Sequence, residues 1–147
     1  MKRYYPYEEF KNDTNKLLDA LKDSGIEVVV AIARGGFMLG HALSEGLDVR
    51  DLQSIRTELY DGESKRESLS LFGECDFKDK TRVLIVDDIA DSGETLACVH
   101  QHLQKKHPHI VFQTATLFYK QSSCFQPDFW VQEADGWIEF FWEKDFS

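Results

Sequence analysis

The chain has 147 residues, 42% hydrophobic and 29% charged, ordinary globular proportions that exclude wholesale disorder. With 17 Lys and Arg against 26 Asp and Glu the net charge is −9, which excludes a basic nucleic-acid footprint and leaves any anionic ligand to be held locally, by backbone N–H groups, a few cations or a metal ion. No apolar run approaches the roughly 20 residues of a membrane span, and the opening residues lack the apolar stretch of a signal peptide. Three cysteines without framework spacing, Cys75, Cys98 and Cys124, suit free thiols in a reducing compartment. One domain over residues 1–147 and a cytoplasmic location are expected.

In chain order, the first periodic segment covers residues 7–24. Phe10, Thr14, Leu17, Leu18 and Leu21 form one stripe of a helix, and Gly25 is a natural left-handed stop. Residues 28–33, VVVAIA, form a continuous β-branched run that predicts a strand buried on both faces, as in a parallel sheet. It runs into Arg34-Gly35-Gly36, and residues 38–45 read as helix. Residues 54–60 alternate weakly as a strand. Residues 61–68 are polar and read as a loop or hairpin connection. A second buried strand, VLIV at 83–86, ends in Asp87-Asp88. A helix fits 95–106, with Leu96, Val99 and Leu103 on one face, and residues 110–119 predict a third strand. The remainder is rich in aromatic residues. Strands alternating with helices predict an α/β domain with a mostly parallel sheet, whose ligands bind at the carboxyl ends of the strands.

Two polar, glycine-containing turns lie at such ends. In the second, Ser92, Gly93 and Thr95 open a helix and can present N–H groups and hydroxyls to a phosphate without cationic side chains. Asp87 and Asp88 precede them, placed for vicinal sugar hydroxyls or for Mg²⁺ through water. Asp91 falls between the two regions, where it can move or hold a proton. The blander reading makes Asp91 and Ser92 a helix cap; a strand, an acid pair, a cap and a helix within a few residues favour the functional one. Cys98 and His102 share a helix face, but no CxxC partner completes a zinc set.

Residues 83–95, VLIVDDIADSGET, resemble the phosphoribosyl diphosphate (PRPP) signature of type I phosphoribosyltransferases. The resemblance extends over roughly residues 28–142 and implies that family's fold: a mostly parallel sheet flanked by helices, with a small hood, here about residues 60–72. It implies that Arg34 and Gly35 form a pyrophosphate loop with a cis peptide between Ala33 and Arg34. It also implies that Arg66 on the hood reaches the diphosphate, and that Asp87, Asp88, Ile89, Ala90, Asp91, Ser92, Gly93, Glu94 and Thr95 bind PRPP with Mg²⁺ near Asp88. Lys120 and the Trp137-Ile138-Glu139 segment are similar to the 6-oxopurine branch, closest to xanthine-guanine phosphoribosyltransferases. There the lysine donates to the oxygen at position 6, the aromatic stacks on the base, and the next backbone carbonyl accepts from position 2. The aromatic base-binding segment is about residues 129–147. The resemblance therefore implies purine salvage: transfer of the phosphoribosyl group to N9 of xanthine, guanine or hypoxanthine, with Asp91 as the catalytic residue, in a homodimer or homotetramer. The rival readings are a non-catalytic PRPP or nucleotide sensor and a phosphoribosyltransferase for another base. Glu94 departs from the Gly or Lys of many relatives, and its carboxylate must point to solvent to be tolerated beside a phosphate.

Overall fold

The computed structural model describes residues 2–61 and 67–147. In chain order the elements are β1 (Lys2–Tyr5), α1 (Tyr7–Leu21), β2 (Val28–Ala33), α2 (Phe37–Gly46), β3 (Leu52–Asp61), β4 (Glu67–Phe72), β5 (Arg82–Val86), β6 (Ile89–Ala90), α3 (Glu94–Lys106), β7 (Val111–Ala115), β8 (Phe118–Tyr119), β9 (Gln132–Glu133), β10 (Trp137–Phe140) and α4 (Phe141–Lys144). The two apolar runs, β2 and β5, are parallel neighbours inside a five-stranded sheet of order β4-β3-β2-β5-β7. All its pairings are parallel except β3–β4.

The β-branched runs fill both faces of this sheet because alternate residues point to opposite sides. Val29, Leu84 and Val86 pack with Leu17 and Leu21 of α1 and Leu39 and Leu43 of α2. Val28, Val30, Ile32, Val83 and Ile85 pack on the other face with Leu96, Val99 and Leu103 of α3. The helix expected over 7–24 ends at Leu21, capped by Lys22, whose N–H donates to Leu18 O. Gly25, four residues beyond Leu21, is left-handed at φ +71° but turns the chain toward β2 instead of stopping the helix. The expected polar connection proves to be part of a hairpin: β4 returns antiparallel to β3, with Asp61 opposite Glu67. Arg66 lies outside the described residues.

The expected single strand over 110–119 is two strands in two sheets. β7 ends at Ala115, and β8 joins β6 and β9 in a separate parallel sheet. The break has a local cause: Asp88 O accepts the N–H groups of both Leu117 (3.0 Å) and Phe118 (3.2 Å). Thr116 Oγ1 meanwhile donates to Phe118 O at 2.9 Å. The chain after β7 thus follows the chain after β5 as it leaves the central sheet.

The aromatic C-terminus is folded against the N-terminus. β1 pairs parallel with β10, Lys2 opposite Trp137 and Tyr5 opposite Phe140. Tyr5 is fully buried, with edge contacts to Phe118 and Phe140 at centroid distances of 5.1 and 5.6 Å. Its hydroxyl donates to the buried Asp13 at 2.8 Å, and burial and that carboxylate raise its pKa. Gln132 Nε2 donates to Asp13 (2.7 Å) and Glu9 (2.8 Å), fastening β9 to α1. Among the described residues no helix is long and apolar enough to cross a membrane.

Candidate active site

Adjacent strands end side by side, so the turns after β2 and β5 emerge together. The peptide bond between Ala33 and Arg34 is cis, as the resemblance implies. Gly35 comes so close to the acid pair that a Cβ there would lie 2.5 Å from Asp88 Oδ2. Any side chain at that approach would have to displace the Asp88 carboxylate. Asp88 N–H donates to Asp87 Oδ1 at 2.8 Å. Both carboxyls are held above the ordinary aspartate range. For Asp87 the causes are burial and the neighbouring Asp88; for Asp88 they are burial and, across the site, Glu143.

Glu143 is the residue that sequence reasoning missed. It stands on α4, and its own carboxyl is raised by burial and lowered by the nearby Arg34. With Arg34, Gly35, Trp142 and Phe146 it lines a cavity of about 590 Å³. A signal existed: Glu143 is an acid at the end of the aromatic run 137–142. Nothing local said which way it faced.

The loop after β6 carries the remaining acid and the helix N-terminus. Gly93, at φ +85°, precedes the first residue of α3, and that left-handed conformation is one glycine adopts without penalty. Asp87 to Gly93, with Thr95 and Leu96, line a cavity of about 220 Å³ at the head of α3. Its shape and N–H groups suit a phosphate. Glu94 donates its N–H to Ser92 Oγ at 3.2 Å. Its side chain is exposed and does not line this cavity.

Lys120, just past β8, reaches the same loop. Its Nζ lies 2.9 Å from Asp91 Oδ1, so the expected base-site cation and the expected proton handler form an ion pair. Lys120, Trp137 and Ile138 line one wide cavity of about 980 Å³. Asp88, Asp91, Trp137, Ile138 and Glu143 share a second cavity of about 160 Å³. Trp137 is 59% exposed although it is a large aromatic, whereas Ile138 is buried. An indole left open on a fixed strand does not fill the core and has a face available for stacking.

Among the described residues no three His, Cys, Asp or Glu side chains converge into a metal cage. Asp88 and Glu143 nevertheless suit Mg²⁺, a hard cation that uses one or two carboxylates and takes its other ligands from water and substrate phosphates. Glu143 raises the proton affinity of Asp88 across the cleft, and a cation beside the two carboxylates would relieve that repulsion.

A family model for the phosphoribosyl transferase domain matches residues 2–145. The chain belongs to the phosphoribosyltransferase family. A solved xanthine-guanine-hypoxanthine phosphoribosyltransferase from Helicobacter pylori superimposes with a TM-score of 0.90 at 35% identity, over 99% of this chain and 96% of that one. A purine phosphoribosyltransferase from Pyrococcus horikoshii gives 0.87 at 31% identity, over 97% and 94%. A xanthine-guanine phosphoribosyltransferase from Desulfotalea psychrophila is 28% identical, covering 98% of this chain and 89% of its own length. The fold is the type I phosphoribosyltransferase fold, and the protein is a phosphoribosyltransferase enzyme.

Proposed function

We propose that this phosphoribosyltransferase moves the 5-phosphoribosyl group of PRPP to N9 of a 6-oxopurine, releasing pyrophosphate and forming the nucleoside 5′-monophosphate. The observation that carries this reading is the Lys120–Asp91 pair, 2.9 Å apart, beside the open Trp137 and the head of α3. A 6-oxopurine offers an oxygen for Lys120 and an N7 proton for Asp91 side by side, so the base can replace each partner's contact without leaving either charge unmet. Trp137 stacks on the ring, and the Ile138 carbonyl meets position 2.

Ser92, Gly93 and Thr95 hold the 5′-phosphate through N–H groups and hydroxyls. Asp87 and Asp88 take the ribose hydroxyls, and Arg34, Gly35 and Arg66 the diphosphate. Asp88 and Glu143 are the residues that would hold Mg²⁺, which when bound neutralises charge on the departing diphosphate. As the C1–oxygen bond lengthens, positive charge grows on the sugar, and keeping water out of the filled site protects it from capture.

Pyrophosphate release from PRPP and Mg²⁺, measured in parallel with guanine, xanthine, hypoxanthine and adenine, tests the reading. Turnover is expected with one or more oxopurines. With adenine it is expected to be lower by about 10³-fold or more, because an amino group at position 6 leaves Lys120 facing a donor. Binding of PRPP without turnover of any base would favour a sensor. Equal turnover of adenine would remove Lys120 as the selector.

Trp137→Ala is expected to raise the Michaelis constant for the base about 5–100-fold, the range of one lost base–aromatic stack, with little change in Tm because the indole is largely solvent-facing. A fall in Tm with an unchanged Michaelis constant would make Trp137 a packing residue.

A further inference from the structure

The base site and the phosphate site share one brace, the turn over residues 120–125. Lys120 N–H donates to Ala90 O at 3.1 Å, continuing the β6–β8 ladder past its last residue. Ser123 N–H then donates to Lys120 O (2.9 Å), and Cys124 N–H to Ser92 O (2.8 Å). The turn is closed by one side chain: Ser123 Oγ donates to Phe125 O at 2.7 Å and accepts from Phe125 N–H at 3.2 Å. Phe125 anchors the far end against His100 of α3, centroids 5.5 Å apart.

The same hydroxyl packs against Gly93. A Cβ at Gly93 would overlap Ser123 Oγ and lie 2.7 Å from Phe125 N and 3.0 Å from Cys124 N. The hydroxyl thus sits where the loop turns left-handed into α3, and a short run of backbone connects it to Lys120. Neither the fold nor the ligand contacts require a serine there; the double hydrogen bond and the close approach to Gly93 do.

We propose that Ser123 is a positioning residue that couples the two subsites. Its hydroxyl fixes the turn that sets both the height of the 92–93 loop beneath the 5′-phosphate and the place of Lys120 beneath the purine oxygen. Ser123 touches neither substrate. Loss of its hydroxyl lets the turn relax, and both ends lose register together. The inference rests on the base and phosphate assignments made above.

The test is to titrate ribose 5-phosphate and the accepted 6-oxopurine, each alone, into the wild-type protein and into Ser123→Ala, Ser123→Gly and Ser123→Thr, by calorimetry, and to follow steady-state turnover of each variant. Ser123→Ala and Ser123→Gly are expected to weaken both ligands about 3–10-fold, the size of one lost hydrogen bond, and to raise both Michaelis constants. Ser123→Thr keeps the hydroxyl and restores both. The two hydroxyl-free variants stand in for each other should one fail to fold. A purely structural turn would lower Tm and the active fraction and leave the dissociation constants of the folded protein unchanged. That result, or weakening of one ligand only, overturns the proposal. A wild-type protein that binds neither ligand and turns over no base overturns the functional reading and this inference with it. A wild-type protein that turns over normally beside unaltered variants overturns this inference alone.

Discussion

Replacing Asp91 by Ala or Asn is expected to lower kcat about 10²–10⁴-fold, the usual worth of one positioned acid or base, while PRPP binding stays within about threefold of wild type on the same grounds. The asymmetry follows from where the carboxylate points. Asp91 is more than half exposed and bonds through Oδ1 to Lys120, not to the backbone of its own loop. The loop is held by other groups, the Cys124 and Lys120 N–H groups on Ser92 O and Ala90 O, so the phosphate cradle survives the substitution. What disappears, on the proposed mechanism, is the acceptor for the N7 proton while positive charge develops on the sugar. The substitution also frees Lys120 from its partner, so oxopurine binding changes less than turnover. Single-turnover rates beside PRPP titration separate the two quantities. An unchanged rate would remove Asp91 from the chemistry.

The parts of the site that were legible in the sequence are those encoded locally. The strands β2 and β5 announce themselves because both faces are buried, so VVVAIA and VLIV carry no polar interruption. Their ends mark the ligand edge, and Gly93 marks the turn into α3. What was not legible depends on partners far away in the chain. β1 is four residues with two charges, and it becomes a strand only because β10 lies beside it. Tyr5 and Asp13 read as an ordinary aromatic and an ordinary acid until the fold buries them against each other. The run 110–119 looks like one strand since both halves are apolar; the carbonyl of Asp88, from another segment, divides it. Glu143 reaches the Arg34-Gly35 turn through the same C-terminal packing. The ion pair between Lys120 and Asp91 joins two motifs recognised separately, and its distance could not be read from either.

Asp88→Asn is expected to make the unliganded protein more stable and the enzyme far less active. The Asp88 carboxyl is pushed up to about 6, chiefly by burial, with Glu143 across the cleft adding to it, and Asp87 is raised in the same direction. A carboxyl raised on folding binds its proton more tightly in the native state than in the unfolded chain. Its contribution to stability is therefore fully present below the unfolded value near 4 and is lost as pH rises through about 6. At pH 7.5 the native protein accordingly carries partly buried anions at a cost. Replacing one by a neutral isostere recovers about 1–2 kcal/mol after allowing for partial exposure, which for a chain of this length raises Tm by about 3–6 °C. On the proposed function the same anions take the divalent cation and the ribose hydroxyls, so kcat/KM for PRPP is expected to fall about 10²-fold or more, on the scale of a lost charge-assisted contact in a desolvated site. In the wild type kcat/KM for PRPP should decline below pH 6 as the pair takes up protons, in the range where the unliganded protein gains stability. Thermal unfolding from pH 4.5 to 8, with and without PRPP and Mg²⁺, checks both halves. The ligands should raise Tm more in the wild type than in the variant. A variant no more stable than wild type at pH 7.5, or one that keeps its kcat/KM, would show that the strained acid pair does not serve substrate binding. The opposing signs of the two expected effects are what distinguish an electrostatically costly binding site from a pair of acids retained for the fold.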